Sequence, residues 1–148
     1  MSQFPLQVQI QRLDQSLPLP RQANEGDAGL DLFAAADVRL FPGERALIAT
    51  GIALAIPAGF AGYVQPRSGL AKNKGLGLLN SPGLIDSGYR GEVSVIAINL
   101  DPVNPIEIKR GERIAQLVIL AIPSITVVEV EDLSSSKRGT GGFGSSGV

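Results

Sequence analysis

Apolar and polar positions alternate with a period of two through LQVQIQRL, residues 6–13, the pattern of a strand with one face buried. The same logic predicts a strand, a Pro-Gly turn and a second strand in VRLFPGERALIA, residues 38–49. ALIATGIALAI and GFAGYVQP read as two buried strands joined by a Pro-Ala-Gly turn. EVSVIAINL is a β-branched run that ends at DPVNP, and IEIKRGERIAQLVILAI carries an Arg-Gly-Glu turn between two more strands. A last strand, ITVVEVEDL, is predicted after Pro123. Only SGLAKNK, residues 68–74, has the character of a helix, and a short one. Many short strands separated by turn signals predict an antiparallel sandwich or barrel.

Residues 46–66 are uncharged and long enough to span a bilayer, but Gly51, Pro57, Gly59 and Gly62 interrupt them, which favours strands over a membrane helix. At 148 residues the chain is predicted to form one domain, residues 1–133. Residues 134–148 differ in composition and read as a flexible Gly/Ser-rich tail. A net charge of −1 gives no sign of a nucleic-acid or anionic-membrane partner. The absence of Cys and His removes disulfides, thiolate chemistry, His general bases and nearly all structural zinc sites. No basic, then apolar, stretch opens the sequence, so a cytoplasmic protein without a signal peptide is expected.

Five segments hold polar residues beyond what turns require. In EGDAGLDLFAA, Asp27 and Asp31 interrupt an otherwise apolar run; the plain interpretation has Asp27 closing a turn and Asp31 facing solvent. In QPRSGLAKNKG, Arg67 and Ser68 precede a helix start, where amides, hydroxyl and guanidinium together suit a phosphate; a Ser N-cap beside a solvated Arg is the alternative. NSPGLIDSGYRGEVSV gathers Asn80, Asp86, Tyr89 and Arg90, with IDSGYRGE expected as a β-hairpin whose tip presents Asp86 and Tyr89. A carboxylate there can orient and deprotonate water, an amide can read a base edge, and a ring offers a flat apolar face. Gln116 lies in a central-looking strand, where a buried amide needs partners, unless the strand is an exposed edge. Finally, RGTGGFGSSG frees backbone N–H groups to wrap an anion, but it lacks the Gly-Lys-Ser/Thr of a Walker motif.

In order and spacing, AGLDLFAA, PRSGLA, NSPGLIDSGYRGEV, RIAQLVI and RGTGGFGSSG resemble the five motifs of the deoxyuridine triphosphatase family, in its homotrimeric all-β form. The resemblance implies a distorted antiparallel β-barrel or jelly roll, with at most one short helix. It implies hydrolysis of dUTP to dUMP and pyrophosphate with Mg²⁺, limiting uracil in DNA and supplying dUMP for thymidylate synthesis. Asp86 matches the carboxylate that activates the water attacking the α-phosphorus, and Asp31 an acid contacting metal-bound water, with no direct metal ligand from the protein. Asn80 matches the amide that pairs with uracil, and Tyr89 the ring that packs under the deoxyribose and excludes a 2′-hydroxyl. Arg67, Ser68 and Gly69 match phosphate contacts, and Gln116 a side chain near the α-phosphate. In the tail, Arg138 matches a γ-phosphate clamp, Phe143 a ring over the uracil, and Gly144, Ser145 and Ser146 further phosphate contacts. Three subunits are implied to build each site, the tail coming from a subunit other than the one giving Asp86. Two rivals share this fold: a dCTP deaminase, whose family lacks the Phe-containing tail, and a trimeric nucleotide-binding or regulatory protein without activity.

Overall fold

In a computed structural model describing residues 5–142, ten strands and one short helix form two four-stranded antiparallel sheets and a two-stranded ribbon. The first sheet runs in the order β1 (Gln9–Arg12), β4 (Arg45–Ala55), β8 (Glu92–Asn99), β6 (Leu76–Leu78). The second runs β2 (Leu30–Phe33), β10 (Arg113–Ala121), β5 (Phe60–Pro66), β7 (Gly83–Ile85). The ribbon pairs β3 (Val38–Leu40) with β9 (Ile106–Ile108). Strand β8 shows how the pattern sets the fold. Val93, Val95, Ala97 and Asn99 point inward and are buried, while the residues between them are half-exposed. The inward residues join Leu32, Ile48, Ile52, Ile114 and Leu117 in one core contributed by both sheets and the ribbon. Asn99, wholly buried, donates to the carbonyls of Leu40 and Asn104, both at 2.9 Å, so its amide is satisfied.

The predicted strand–turn–strand units are present, but their strands do not pair with each other. Phe41–Glu44 and Lys109–Glu112 form the same turn. In each, a Glu amide donates back to the first residue's carbonyl (2.9 and 3.0 Å) and the Glu carboxylate accepts that residue's N–H (2.8 and 3.2 Å). Gly43 and Gly111 occupy the third position with φ of 79° and 85°, as a type II turn requires. The turns send β4 and β10 into the two large sheets and leave β3 and β9 to pair together.

The helix α1 (Ser68–Lys74) falls where predicted and ends at Gly75 in the left-handed conformation. Its N-cap is Arg67, without a side-chain cap bond, so the alternative of a Ser68 N-cap is not what forms. The expected hairpin in IDSGYRGE does not form either. β7 pairs with β5 and β8 with β4 and β6, so the segment is a crossover between sheets with a turn at Asp86–Tyr89. Nor is ITVVEVEDL a strand here. Residues 122–142 hold no regular element, and Ile125, Val127, Val128 and Leu133 are 72–89% exposed. A β-branched segment that pairs with no strand gains neither ladder bonds nor burial. Among the described residues, no helix is long and apolar enough to cross a membrane.

Candidate active site

Register brings the first group of polar residues together. β10 lies between β2 and β5, and Gln116 sits directly opposite Asp31 on one side and Gln65 on the other. Chain direction then carries β5 through Pro66 into Arg67, Ser68 and Gly69 at the head of α1. Asp31, Arg67, Ser68, Gly69 and Gln116 thus line one cleft of about 330 Å³, with Asp27 and Gly29 at its rim.

Asp31 is 7% exposed, so the solvent-facing interpretation of it is wrong. Its Oδ1 forms an ion pair with Arg67 Nε at 3.2 Å, and its Oδ2 accepts from Arg113 Nη1 at 3.3 Å. A buried carboxylate is sustained by such paired donors. Arg67, with Ser68 and Gly69 beside it, offers the cleft donors that suit an anion, while Asp31 and Asp27 balance the charge of the two arginines. Arg67 also donates to the Arg113 carbonyl at 3.4 Å, tying both arginines to the sheet. Gln116 Nε2 donates to the Pro66 carbonyl at 2.9 Å, so the central-strand interpretation of Gln116 holds and the edge alternative does not. Gly29 lies against that amide, since a Cβ there would collide with Gln116 Oε1. Asp27 does close a turn, accepting from the Asn24 amide at 2.9 Å and its side chain at 3.1 Å. Arg113 is a member of the site that sequence reasoning misses; its place three residues before Gln116 puts it outside the cleft-forming face on alternation alone.

The second group lines a separate cleft of about 300 Å³. Asn80, Asp86 and Tyr89 meet there with an apolar wall that includes Leu47, Leu84 and Ile96. Asp86 and Asn80 are exposed. Tyr89 donates its amide to the Asp86 carbonyl at 3.1 Å and its hydroxyl to the Glu92 carbonyl at 3.0 Å. The two clefts share no lining residue. Arg138 lines neither, and its Nε donates to the nearby Gly141 carbonyl at 2.8 Å. Phe143, Gly144, Ser145 and Ser146 lie outside the described residues.

An all-β fold that carries a cleft with guanidinium, hydroxyl and amide donors on one sheet and a carboxylate beside an apolar pocket elsewhere has the parts of a nucleotide hydrolase. The dUTPase family profile matches residues 15–147, and the chain belongs to that family. It is 56% identical over 142 residues to the deoxyuridine 5′-triphosphate nucleotidohydrolase of Thermobifida fusca, covering 96% of this chain and 79% of that protein. It is 54% identical over 144 residues to the enzyme of the same name from Corynebacterium diphtheriae, covering 97% and 95%. A dUTPase variant from Staphylococcus bacteriophage 80alpha, solved with dUpNHpp, superposes with a TM-score of 0.89 at 32% identity, over 96% of this chain and 99% of that one. A dUTPase variant from phage phi11 of S. aureus, whose structure concerns a structural Mg(II) ion, superposes with a TM-score of 0.79 at 28% identity, over 85% and 97%.

Proposed function

We propose that this chain hydrolyses dUTP to dUMP and pyrophosphate in the cytoplasm, as a homotrimer whose copies complete one another's sites. The observation that carries this is the separation of the two clefts: Asp31, Arg67 and Gln116 line one, Asn80, Asp86 and Tyr89 the other. Each has half of what the reaction needs. A second copy, presenting its Asp86 cleft to the Arg67 cleft of the first, supplies the remainder. Exposed apolar surface supports assembly. Leu47, Leu84 and Leu79 stand 51–72% exposed around the Asp86 cleft. Residues 125–133 have the β-branched composition of a strand yet pair with no strand among the described residues, and we place them on a neighbouring copy.

In the proposed reaction the Asp86 carboxylate takes a proton from water as its oxygen bonds the α-phosphorus. The α–β bridging bond breaks and pyrophosphate leaves. Asn80 pairs with uracil and Tyr89 packs under the deoxyribose. Arg67, Ser68, Gly69 and Gln116 hold the phosphates, adding donors where charge develops. Residues 134–148 close over the bound nucleotide, with Arg138 on the terminal phosphate, Phe143 on uracil, and Gly144, Ser145 and Ser146 completing the phosphate contacts.

The donor set fits Mg²⁺ arriving with the triphosphate. Mg²⁺ characteristically uses one or two carboxylates besides phosphate oxygens and water. Asp31 is a carboxylate in the phosphate-side cleft, and we assign it contact through metal-bound water. The bound ion neutralises charge on the phosphates. The product dUMP then serves thymidylate synthesis, and removal of dUTP keeps uracil out of DNA. Incubation with dUTP, dTTP, dCTP and UTP tests the proposal: pyrophosphate from dUTP alone is expected, and ammonia from dCTP would overturn it.

A further inference from the structure

We propose that Gly91 is the specificity-determining position beneath Tyr89, fixing the height of the ring that selects the sugar. The inference rests on the assignment of Tyr89 as the ring packed under the deoxyribose. The Tyr89 backbone is fixed by the turn to Asp86, and its hydroxyl reaches forward to the Glu92 carbonyl. Held at both ends, the ring folds down over Gly91. A Cβ on Gly91 would lie 2.6 Å from Tyr89 Cζ and 3.0 Å from Cε2, and it would collide with the hydroxyl.

The backbone does not ask for glycine here. Gly91 is absent from the glycines with positive φ, and it is exposed, so alanine fits the main chain and the fold. What alanine displaces is the ring. It must swing off the Glu92 carbonyl, and the floor under the sugar goes with it. Asp86 stays where the turn puts it, so the chemistry is spared more than the selectivity. A bare position at residue 91 thus sets how much room a 2′-hydroxyl finds.

A double-mutant cycle tests this, with kcat/KM for dUTP and UTP as one readout. The second is calorimetric binding of the non-hydrolysable imido analogues dUpNHpp and UpNHpp with Mg²⁺. Gly91→Ala should narrow the dUTP preference about tenfold in both measurements, with kcat on dUTP falling less than the preference. In a Tyr89→Ala background, where nothing remains to displace, Gly91→Ala should add nothing. The inference is overturned by an unchanged preference in Gly91→Ala, or by an equal effect with and without Tyr89. If Tyr89→Ala alone leaves the preference intact, the assignment of Tyr89 itself fails, which is a separate outcome.

Discussion

Replacing Asp31 with asparagine removes one charge and almost no volume, which isolates the role of the carboxylate in the phosphate-side cleft. In the native chain Asp31 pairs with Arg67 at 3.2 Å and Arg113 at 3.3 Å, and its side chain is 10% exposed. Breaking a fully buried pair costs about 3–5 kcal/mol. The arginine side chains are 28% and 48% exposed, so water recovers much of their solvation and the cost falls to about 1–2 kcal/mol. For a chain of this size that lowers Tm by roughly 2–8 °C. Released from its anchor, Arg67 spends less time aimed at the phosphates, so KM for dUTP should rise as well. Differential scanning calorimetry at fixed protomer concentration and pH 7, with steady-state pyrophosphate release alongside, reads both effects. An Asp31→Asn variant with unchanged Tm and unchanged KM would refute the claim that this carboxylate organises the cleft.

Asp86→Asn should lower kcat by orders of magnitude while binding of dUpNHpp, measured by calorimetry, survives. Deleting residues 138–148 should leave the assembly mass per chain as expected for a trimer yet nearly abolish hydrolysis; in the intact protein, dUpNHpp with Mg²⁺ should slow tryptic cleavage at Lys137 and Arg138. The third concerns acid. Bonds from Ser16 and Arg110 lower the Asp14 pKa from 3.8 to about 2. A lowered carboxylate pKa contributes stability that is full above the unfolded value and is lost as pH falls toward the folded one. Asp14→Asn should therefore flatten the acid side of a Tm-against-pH curve between about pH 4 and pH 2, and a curve of unchanged shape would contradict this.

How far the fold can be read from the chain depends on whether the information is local. The helix at residues 68–74 is legible because Pro66 precedes it and Gly75 stops it. β8 is legible because Val93, Val95, Ile96 and Ile98 make a β-branched run that stops at Asp101 and Pro102. Pairing is not local. Nothing in VRLFPGE says that β3 joins β9 rather than β4, since the Pro-Gly turn is equally compatible with a hairpin or a corner. IDSGYRGE misleads for the same reason. The ITVVEVEDL pattern has strand propensity, but propensity does not say which edge a strand joins, and in the described residues the segment pairs with none.

At the site, polar residues inside apolar runs are informative, because burying them requires partners. Asp31 and Gln116 both stand out that way, and they prove to be register neighbours. Arg113 escapes notice because a charged residue just after a Gly-Glu turn looks like ordinary surface. Only the folded sheet brings it to Asp31. The division of the polar residues between two clefts is a property of topology and has no trace in their order along the chain.

The central claim is that the Asp86 cleft of one copy serves the Arg67 cleft of another, and subunit mixing tests it most directly. Asp86→Asn and Arg67→Gln chains should each be nearly inactive alone. Mixed one to one, unfolded and refolded together, they should recover roughly a quarter of wild-type dUTP hydrolysis, the share of sites that draw an intact half from each chain by chance. Mixed assemblies confirmed by native mass spectrometry, with activity no higher than either parent, would contradict a shared site.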